Sequence, residues 1–138
     1  MVVDEAFKQW IRNCEYYKRK PYLDSQGKLT IGYGRNLEDN GLSLEEAEFL
    51  MKNDIKRAEE ELKGFHWYRN QPDNVKKALL NMNFNLGLPR LLSFKKMINA
   101  LMEKDYAKAA AEALNSKWAE QVGNRATDIA VMIREASN

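Results

Sequence analysis

Residues 21–33 form the only convincing β pattern in this chain, and this segment limits the fold more than any other feature. Pro21 excludes a simple continuation of the helical pattern before it and favours extended backbone at the preceding residue. Ser25-Gln26-Gly27 predicts a tight reversal in which the glycine takes a positive φ, with residues 21–24 and 28–33 as the paired strands. A hairpin this small and polar is unstable by itself, so it must be supported by helices.

The remainder of the chain has a helical pattern. Asp4 is a suitable N-cap for a first helix that ends near Tyr16. Ser43 and Glu46 have the spacing of a capping box, and they begin a helix of about twenty residues, roughly 30 Å long. Gly64 ends that helix. Later helices are predicted from Pro72 as a first helical position, from the stop at Gly87, and from caps at Ser93 and Asn124. Asp105 is predicted to begin an alanine-rich helix that runs through Leu114.

These elements predict one α+β domain over residues 1–138 that is mostly α. We expect a small β-containing lobe at about residues 15–45 and a helical lobe at about residues 64–138, to which the N-terminal helix also belongs. The long helix connects the two lobes, and a cleft is expected between them.

Composition excludes several classes of protein. The net charge is only +2 and no segment is a dense basic stripe, which argues against a dedicated nucleic-acid binder. The single cysteine, Cys14, excludes an intramolecular disulfide. No stretch is long enough to suggest membrane insertion, and the N-terminus does not resemble a signal peptide, so we expect synthesis in a cytoplasm. No metal-ligand cluster, phosphate loop or dinucleotide fingerprint is present, so we expect no cofactor and no metal.

Two carboxylates and a threonine are the candidate catalytic residues. Glu15 stands at the end of the first helical pattern, Asp24 at the mouth of the hairpin, and Thr30 on its returning strand. Glycoside hydrolysis needs two carboxyl groups on either side of the scissile bond. A helical acid that faces polar groups of a hairpin is one way to provide them.

Three blocks of sequence resemble one family. Glu15…Tyr22-Leu-Asp24…Gly27…Thr30-Ile-Gly32-Tyr33-Gly34 is similar to the N-terminal signature of the phage-type lysozymes, the endolysins of glycoside hydrolase family 24. The segment from Ala78 to Gly87 resembles the family's central helix, and the segment from Ser116 to Ala126 resembles the approach to its closing helices. The blocks follow the family order over nearly the whole chain, and the resemblance implies a lysozyme-like fold.

The resemblance also implies roles for individual residues. Glu15 would be the general acid, Asp24 the second carboxylate, and Thr30 would help to hold the attacking water in a reaction that inverts configuration. Arg125 would pair with the catalytic glutamate and Asn81 would support that pair. The supporting or substrate-binding positions implied by the family are Arg125, Asn81, Phe84, Gly87, Gly34 and Arg35.

One position departs from the family pattern. Arg35 stands directly after Gly34, where family members often have histidine. Alignment suggests Asp54 as the ion-pair partner of Arg35, which would preserve a structural role.

The implied activity is hydrolysis of the β-1,4 bond between N-acetylmuramic acid and N-acetylglucosamine in peptidoglycan, with lysis of a bacterial host as the result. The expected partner is the peptidoglycan glycan strand. We expect a monomer, made in the host cytoplasm and acting in the periplasm after release through a holin-type pore. A lytic transglycosylase, with one acid and no water nucleophile, is the first alternative, and a non-catalytic peptidoglycan-binding helical module is the second.

Each candidate residue also has a purely structural interpretation. For Met82, Phe84 and Trp118 we favour packing in the core over contact with substrate. The structural alternatives for the polar residues are a solvated helix end for Glu15, a turn residue for Asp24, a strand residue for Thr30, a buried structural amide for Asn81 and a surface cation for Arg125.

Overall fold

The computed structural model describes residues 1–136, and these divide into two compact units, Met1–Phe49 and the chain from Leu50 onward. The fold is 68% helical with a small antiparallel sheet of three strands, which confirms the expected α+β class. Helix α1, which the sequence pattern assigns to the helical lobe, groups with the first unit.

The first unit begins with α1, Glu5–Glu15, and its capping follows the prediction. The Asp4 carboxylate accepts a hydrogen bond from the backbone N–H of Phe7 at 2.9 Å. The helix ends at Tyr16, whose φ of 56° turns the chain toward the sheet. Tyr16 is therefore one of the few non-glycine residues in the left-handed region.

The sheet has the order β1-β2-β3, with β1 at Lys18–Leu23, β2 at Leu29–Gly32 and β3 at Arg35–Asn36. The predicted hairpin is confirmed, but β1 begins at Lys18 rather than at Pro21. Proline is tolerated here because β1 is an edge strand. The sequence did not predict β3 or the short helix α2, Leu37–Asn40. Elements of two and four residues are too short to show a hydrophobic period.

Helix α3, Leu44–Leu62, starts in the first unit and ends in the second. Both bonds of the predicted capping box are present. The backbone N–H of Ser43 donates to Glu46 Oε1 at 2.8 Å, and the backbone N–H of Glu46 donates to Ser43 Oγ at 3.1 Å.

The second unit contains helices only among its described residues, packed around one apolar core. Its largest fully buried side chains include Leu79, Met82, Leu101 and Ile133. After α3 the helices are α4 at His66–Arg69, α5 at Asp73–Leu86, α6 at Leu88–Leu92, α7 at Lys95–Met102, α8 at Tyr106–Leu114, α9 at Lys117–Val122 and α10 at Asn124–Glu135.

Some predicted helix ends in this unit are correct and others are wrong. Gly87 ends α5, as predicted, and the helix predicted to begin at Asp105 is α8, with Asp105 as its N-cap. Pro72 is the N-cap of α5 rather than its first helical residue, and Asn124 is the first residue of α10 rather than its cap. Ser93 does not cap α7, because its hydroxyl donates to the Arg90 carbonyl at the end of α6.

Buried polar groups tie the helices of this unit together. Gln71 donates from Nε2 to the carbonyls of Trp67 and Leu101, at 2.8 and 3.1 Å, and accepts from the Tyr106 hydroxyl at 2.8 Å. These bonds join α4, α7 and α8 through one side chain, as a buried amide requires. None of the described helices combines the length and hydropathy needed to span a membrane.

Candidate active site

Asp24 and Thr30 are joined through the backbone of one residue, Lys28. Asp24 Oδ1 accepts from the backbone N–H groups of Gln26 and Lys28, at 2.9 and 2.8 Å. The Lys28 carbonyl accepts from the Asp24 N–H and from the Thr30 hydroxyl, both at 2.9 Å. Asp24 is therefore a turn residue, as its structural interpretation proposed, and the turn fixes its carboxylate in position.

Thr30 is the buried member of this group, with 3% of its surface exposed. Because its hydroxyl hydrogen is used by the Lys28 carbonyl, Thr30 Oγ1 has its lone pairs left for accepting. A hydroxyl in this state can accept a hydrogen bond from a water molecule and so orient the oxygen of that water. Thr30 lies directly opposite Tyr22 in the β1–β2 pairing, so the strand register also fixes its position.

Glu15 lies against the turn between β2 and β3. Gly34 has a φ of +73°, and a Cβ at this position would lie 2.5 Å from Glu15 Oε2 and 2.8 Å from its Cδ. Only glycine leaves room for the carboxylate here. Tyr17 and Tyr33, whose ring centroids are 5.8 Å apart, bring the chain after α1 against the same turn. The end of α1 is thereby held beside the sheet that carries Asp24 and Thr30.

Arg35 has a partner other than the predicted Asp54. It donates from Nη1 to Glu46 Oε1 and to the Gly41 carbonyl, both at 2.9 Å, and from Nη2 to Glu46 Oε2. Asp54 instead pairs with Arg57 at 3.4 Å. The prediction was wrong because the capping box already turns Glu46 toward the start of α3, whereas Asp54 lies more than two turns farther along the helix.

The Arg35–Glu46 pair shifts the pKa of both groups in the direction that favours their charged forms. The hydrogen bond from Arg35, with help from the Ser43 backbone N–H, lowers the pKa of Glu46 to about 2. Glu46 in turn raises the pKa of Arg35 through the same hydrogen bond and its charge. The bidentate pair ties β3 to the first turn of α3 and supports the fold of the first unit.

The remaining candidates lie in the second unit. Arg125 donates from Nε to Asn81 Oδ1 at 2.8 Å and from Nη2 to the Asn81 carbonyl at 3.5 Å, which joins α10 to α5. Asn81 is exposed, so it is not the buried amide of its structural interpretation. The predicted association of Asn81 with Arg125 is present.

Phe84 belongs to the same surface as that pair. Phe84 is 41% exposed, so the expected packing in the core was wrong for Phe84, although it was correct for Met82 and Trp118. Phe84 lines a cavity of about 320 Å³ whose walls are mostly apolar. The lining residues are Met51, Ile55, Lys77, Leu80, Asn81, Phe84 and Arg125.

Gly87 has a local structural role. Its φ of 84° ends α5, and its N–H donates to the Asn83 carbonyl at 2.9 Å. This geometry is the left-handed stop that glycine provides at a helix end.

Sequence reasoning missed two residues that organise the site. Lys28 acts through its backbone, for which the sequence carries no signal. Glu46 was recognised as half of a capping box, but its second role as the partner of Arg35 was not. Within residues 1–136 no group of three or more His, Cys, Asp or Glu side chains is arranged to hold a metal ion.

Comparison with known proteins identifies the family. A sequence model of the phage lysozyme family matches residues 12–136. Probable T4-type lysozyme 1 of Dictyostelium discoideum is 30% identical over 93% of this chain and 93% of its own, and probable T4-type lysozyme 2 of the same organism is 27% identical over 90% and 91%. The pre-baseplate central spike protein Gp5 of Enterobacteria phage T4 is 25% identical over 91% of this chain, but over only 27% of its own length. The chain belongs to the phage lysozyme family, and this membership implies glycoside hydrolase activity.

Proposed function

We propose that this protein hydrolyses the β-1,4 bond between N-acetylmuramic acid and N-acetylglucosamine in bacterial peptidoglycan. The observation that carries the proposal is the link from Asp24 through the Lys28 backbone to Thr30, in the unit where Gly34 makes room for Glu15. Family membership supports the reaction class. The specific bond and the roles of the residues are our inference.

In the proposed reaction, Glu15 gives its proton to the glycosidic oxygen as the bond from the anomeric carbon breaks. Positive charge develops on the sugar ring, and a water molecule attacks the opposite face of the anomeric carbon. Thr30 Oγ1 accepts a hydrogen bond from this water, and the Asp24 carboxylate receives the proton that the water loses. A single displacement by water inverts the configuration, so a β-linked substrate yields the α-anomer.

We further propose a role in lysis of bacterial cells, with the glycan strand as the partner and the monomer as the acting form. The support for this part is the family assignment and the similarity to T4-type lysozymes. Turbidity of permeabilised Gram-negative cells measures it directly. A steady fall in turbidity is expected, and a constant turbidity would refute the proposed lytic role.

Analysis of the sugar ends released from purified peptidoglycan tests the reaction. Reducing N-acetylmuramic acid ends, detected by mass spectrometry after digestion, are expected from hydrolysis. Anhydromuramyl ends would instead identify a lytic transglycosylase, and the absence of new ends would identify a non-catalytic binding module. Proton NMR of the first product formed should show the α-anomer, whereas the β-anomer would mean retention and a different role for Asp24.

A further inference from the structure

The first unit has seven cationic side chains, and four of them are paired with carboxylates. The paired residues are Lys8, Arg12, Lys28 and Arg35. The other three are consecutive: Lys18, Arg19 and Lys20 are all exposed, and none forms an ion pair with any residue in 1–136. We call Lys18–Lys20 the basic triplet.

The sheet itself contains nothing that neutralises the basic triplet. Strand β1 is an edge strand, and its one neighbour in the sheet, β2, consists of Leu-Thr-Ile-Gly without a carboxylate. Residues 1–49 contain nine acidic and seven basic side chains, so the unit has a net charge of −2. The triplet therefore consists of three consecutive unpaired cations on a unit of net negative charge, and an anion attracted to this unit would be attracted here.

The position of the triplet relates it to the proposed reaction. Strand β1 starts three residues after Glu15 and ends immediately before Asp24, so the cations lie on the strand that connects the two carboxylates. The peptide substituents of peptidoglycan carry free carboxylates. We propose that Lys18, Arg19 and Lys20 bind the carboxylates of these peptide substituents, which makes the triplet a specificity site for acidic glycan strands. This inference rests on the proposed function, because it assigns a second contact to the same substrate.

Protection of the sheet edge is the structural alternative. Lysines and a proline on an edge strand discourage pairing with another chain, and Pro21 follows the triplet directly. The two roles predict different results. If the triplet only protects the sheet edge, a variant without its charges should self-associate. The affinity of the monomeric variant for peptidoglycan should then depend on salt and on substrate charge in the same way as that of wild type.

The test uses the full chain with Lys18, Arg19 and Lys20 all replaced by glutamine. At low salt the KM for peptidoglycan should rise roughly tenfold, because three exposed cations each contribute a small, screenable attraction. The kcat should not change, and at about 1 M salt, where the screening length is about 3 Å, the difference in KM should largely vanish. The matched control replaces Lys52, Lys56 and Lys108, three exposed lysines of the second unit, by glutamine and should keep the wild-type KM. Equal KM values for the two triple variants would overturn the proposal.

A chemically modified substrate identifies the anion. Conversion of the peptide carboxylates to neutral amides leaves the glycan intact and should abolish the difference between wild type and the triplet variant. A difference that persists on amidated peptidoglycan would show that the triplet binds another group and would refute the proposal. A variant with Lys18→Arg, Arg19→Lys and Lys20→Arg keeps the charge and should behave as wild type. Size-exclusion chromatography identifies association, and if the triple variant associates, single glutamine variants should each raise KM about twofold.

Failure of the proposed hydrolysis and failure of the proposed binding by the triplet can be distinguished by two measurements. If wild type releases no new reducing ends, the hydrolytic role fails, whereas pelleting of the protein with insoluble peptidoglycan still measures binding. If more wild type than triplet variant pellets with peptidoglycan at low salt, the binding role of the triplet is supported even though the hydrolytic role has failed. Equal pelleting would refute it.

Discussion

The two units of this protein differ in the interactions that stabilise each one internally. Of residues 1–49, all of which the structure describes, only Thr30 is buried, whereas the second unit has an apolar core with side chains from α4 to α10 and from the end of α3. The first unit relies on polar ties, namely the Asp24 turn, the capping box and the Arg35–Glu46 pair. The proposed catalytic groups therefore lie on the unit with little apolar burial.

This contrast has consequences for mutation and for solution conditions. Apolar burial contributes roughly 25 cal/mol per Å² and involves no titrating or screened charge, so the second unit should respond mainly to changes in packing. Polar ties between exposed groups contribute less and depend on charge state. The first unit should respond to changes in charge, strain and pH, and the activity should respond with it.

The largest effect is expected from Leu79→Ala, in the core of the second unit. Leu79 is fully buried in α5, and its truncation should lower the free energy of unfolding by about 2–5 kcal/mol. Urea denaturation followed by circular dichroism measures this loss. Leu114→Ala is the control, because Leu114 is 41% exposed, and it should cost much less. Similar losses for both variants would contradict the contrast between core and surface.

Glu15→Gln should separate activity from stability. Removal of a general acid should lower kcat at least about 10²-fold. Within residues 1–49 the Glu15 side chain forms no hydrogen bond and no ion pair, so the unfolding free energy should stay close to that of wild type. Rates of reducing-end release and urea denaturation measure the two quantities. Substantial hydrolysis by this variant would show that another group donates the proton.

Gly34→Ala tests the contact that holds Glu15. Both this variant and its control, Gly27→Ala, place a side chain at positive φ, 73° and 77°, which should destabilise each by about 1–2 kcal/mol. Only Gly34 faces the Glu15 carboxylate, since nothing lies within 4 Å of a Cβ at Gly27. We therefore expect kcat to fall about tenfold more in Gly34→Ala than in Gly27→Ala, because a displacement of about 1 Å is costly for catalysis. Equal activities would mean that the position of Glu15 is not critical.

The parts of the fold that could be predicted from sequence depend on local interactions. Asp4 and the Ser43–Glu46 capping box were recognised because a cap bonds to backbone only three residues away. Short elements were missed because four or five residues show no period, as in α4 and α6. The prediction for Ser93 was wrong because its hydroxyl donates to a carbonyl of α6, the helix before it, and does not cap α7, the helix after it.

In the candidate site, too, residue types could be predicted from sequence, whereas contacts between separate segments could not. Glu15, Asp24 and Thr30 could be selected by residue type and family resemblance, but their roles are not established by that selection. The Lys28 backbone link and the fit of Gly34 against Glu15 depend on how separate segments meet in space, which residue types do not encode. The partner of Arg35 was predicted wrongly for the same reason, since Glu46 and Asp54 are both carboxylates on α3.

The smallest expected effect is the pH dependence of the stabilisation by the Arg35–Glu46 ion pair. The pKa of Glu46 is about 2 in the folded protein, below its usual 4.5, so the carboxylate stabilises the fold at pH values above 4.5. This contribution should be lost as the pH falls from about 4.5 to about 2. Glu46→Gln lacks it at every pH, so the difference in Tm between wild type and Glu46→Gln should be constant near neutral pH and shrink across that window. Glu48→Gln, which removes an exposed carboxylate without an ion pair among the described residues, is the control and should lower the Tm at neutral pH less than Glu46→Gln does. A difference for Glu46→Gln that stays the same down to pH 2 would mean that the charge of this tie does not stabilise the first unit.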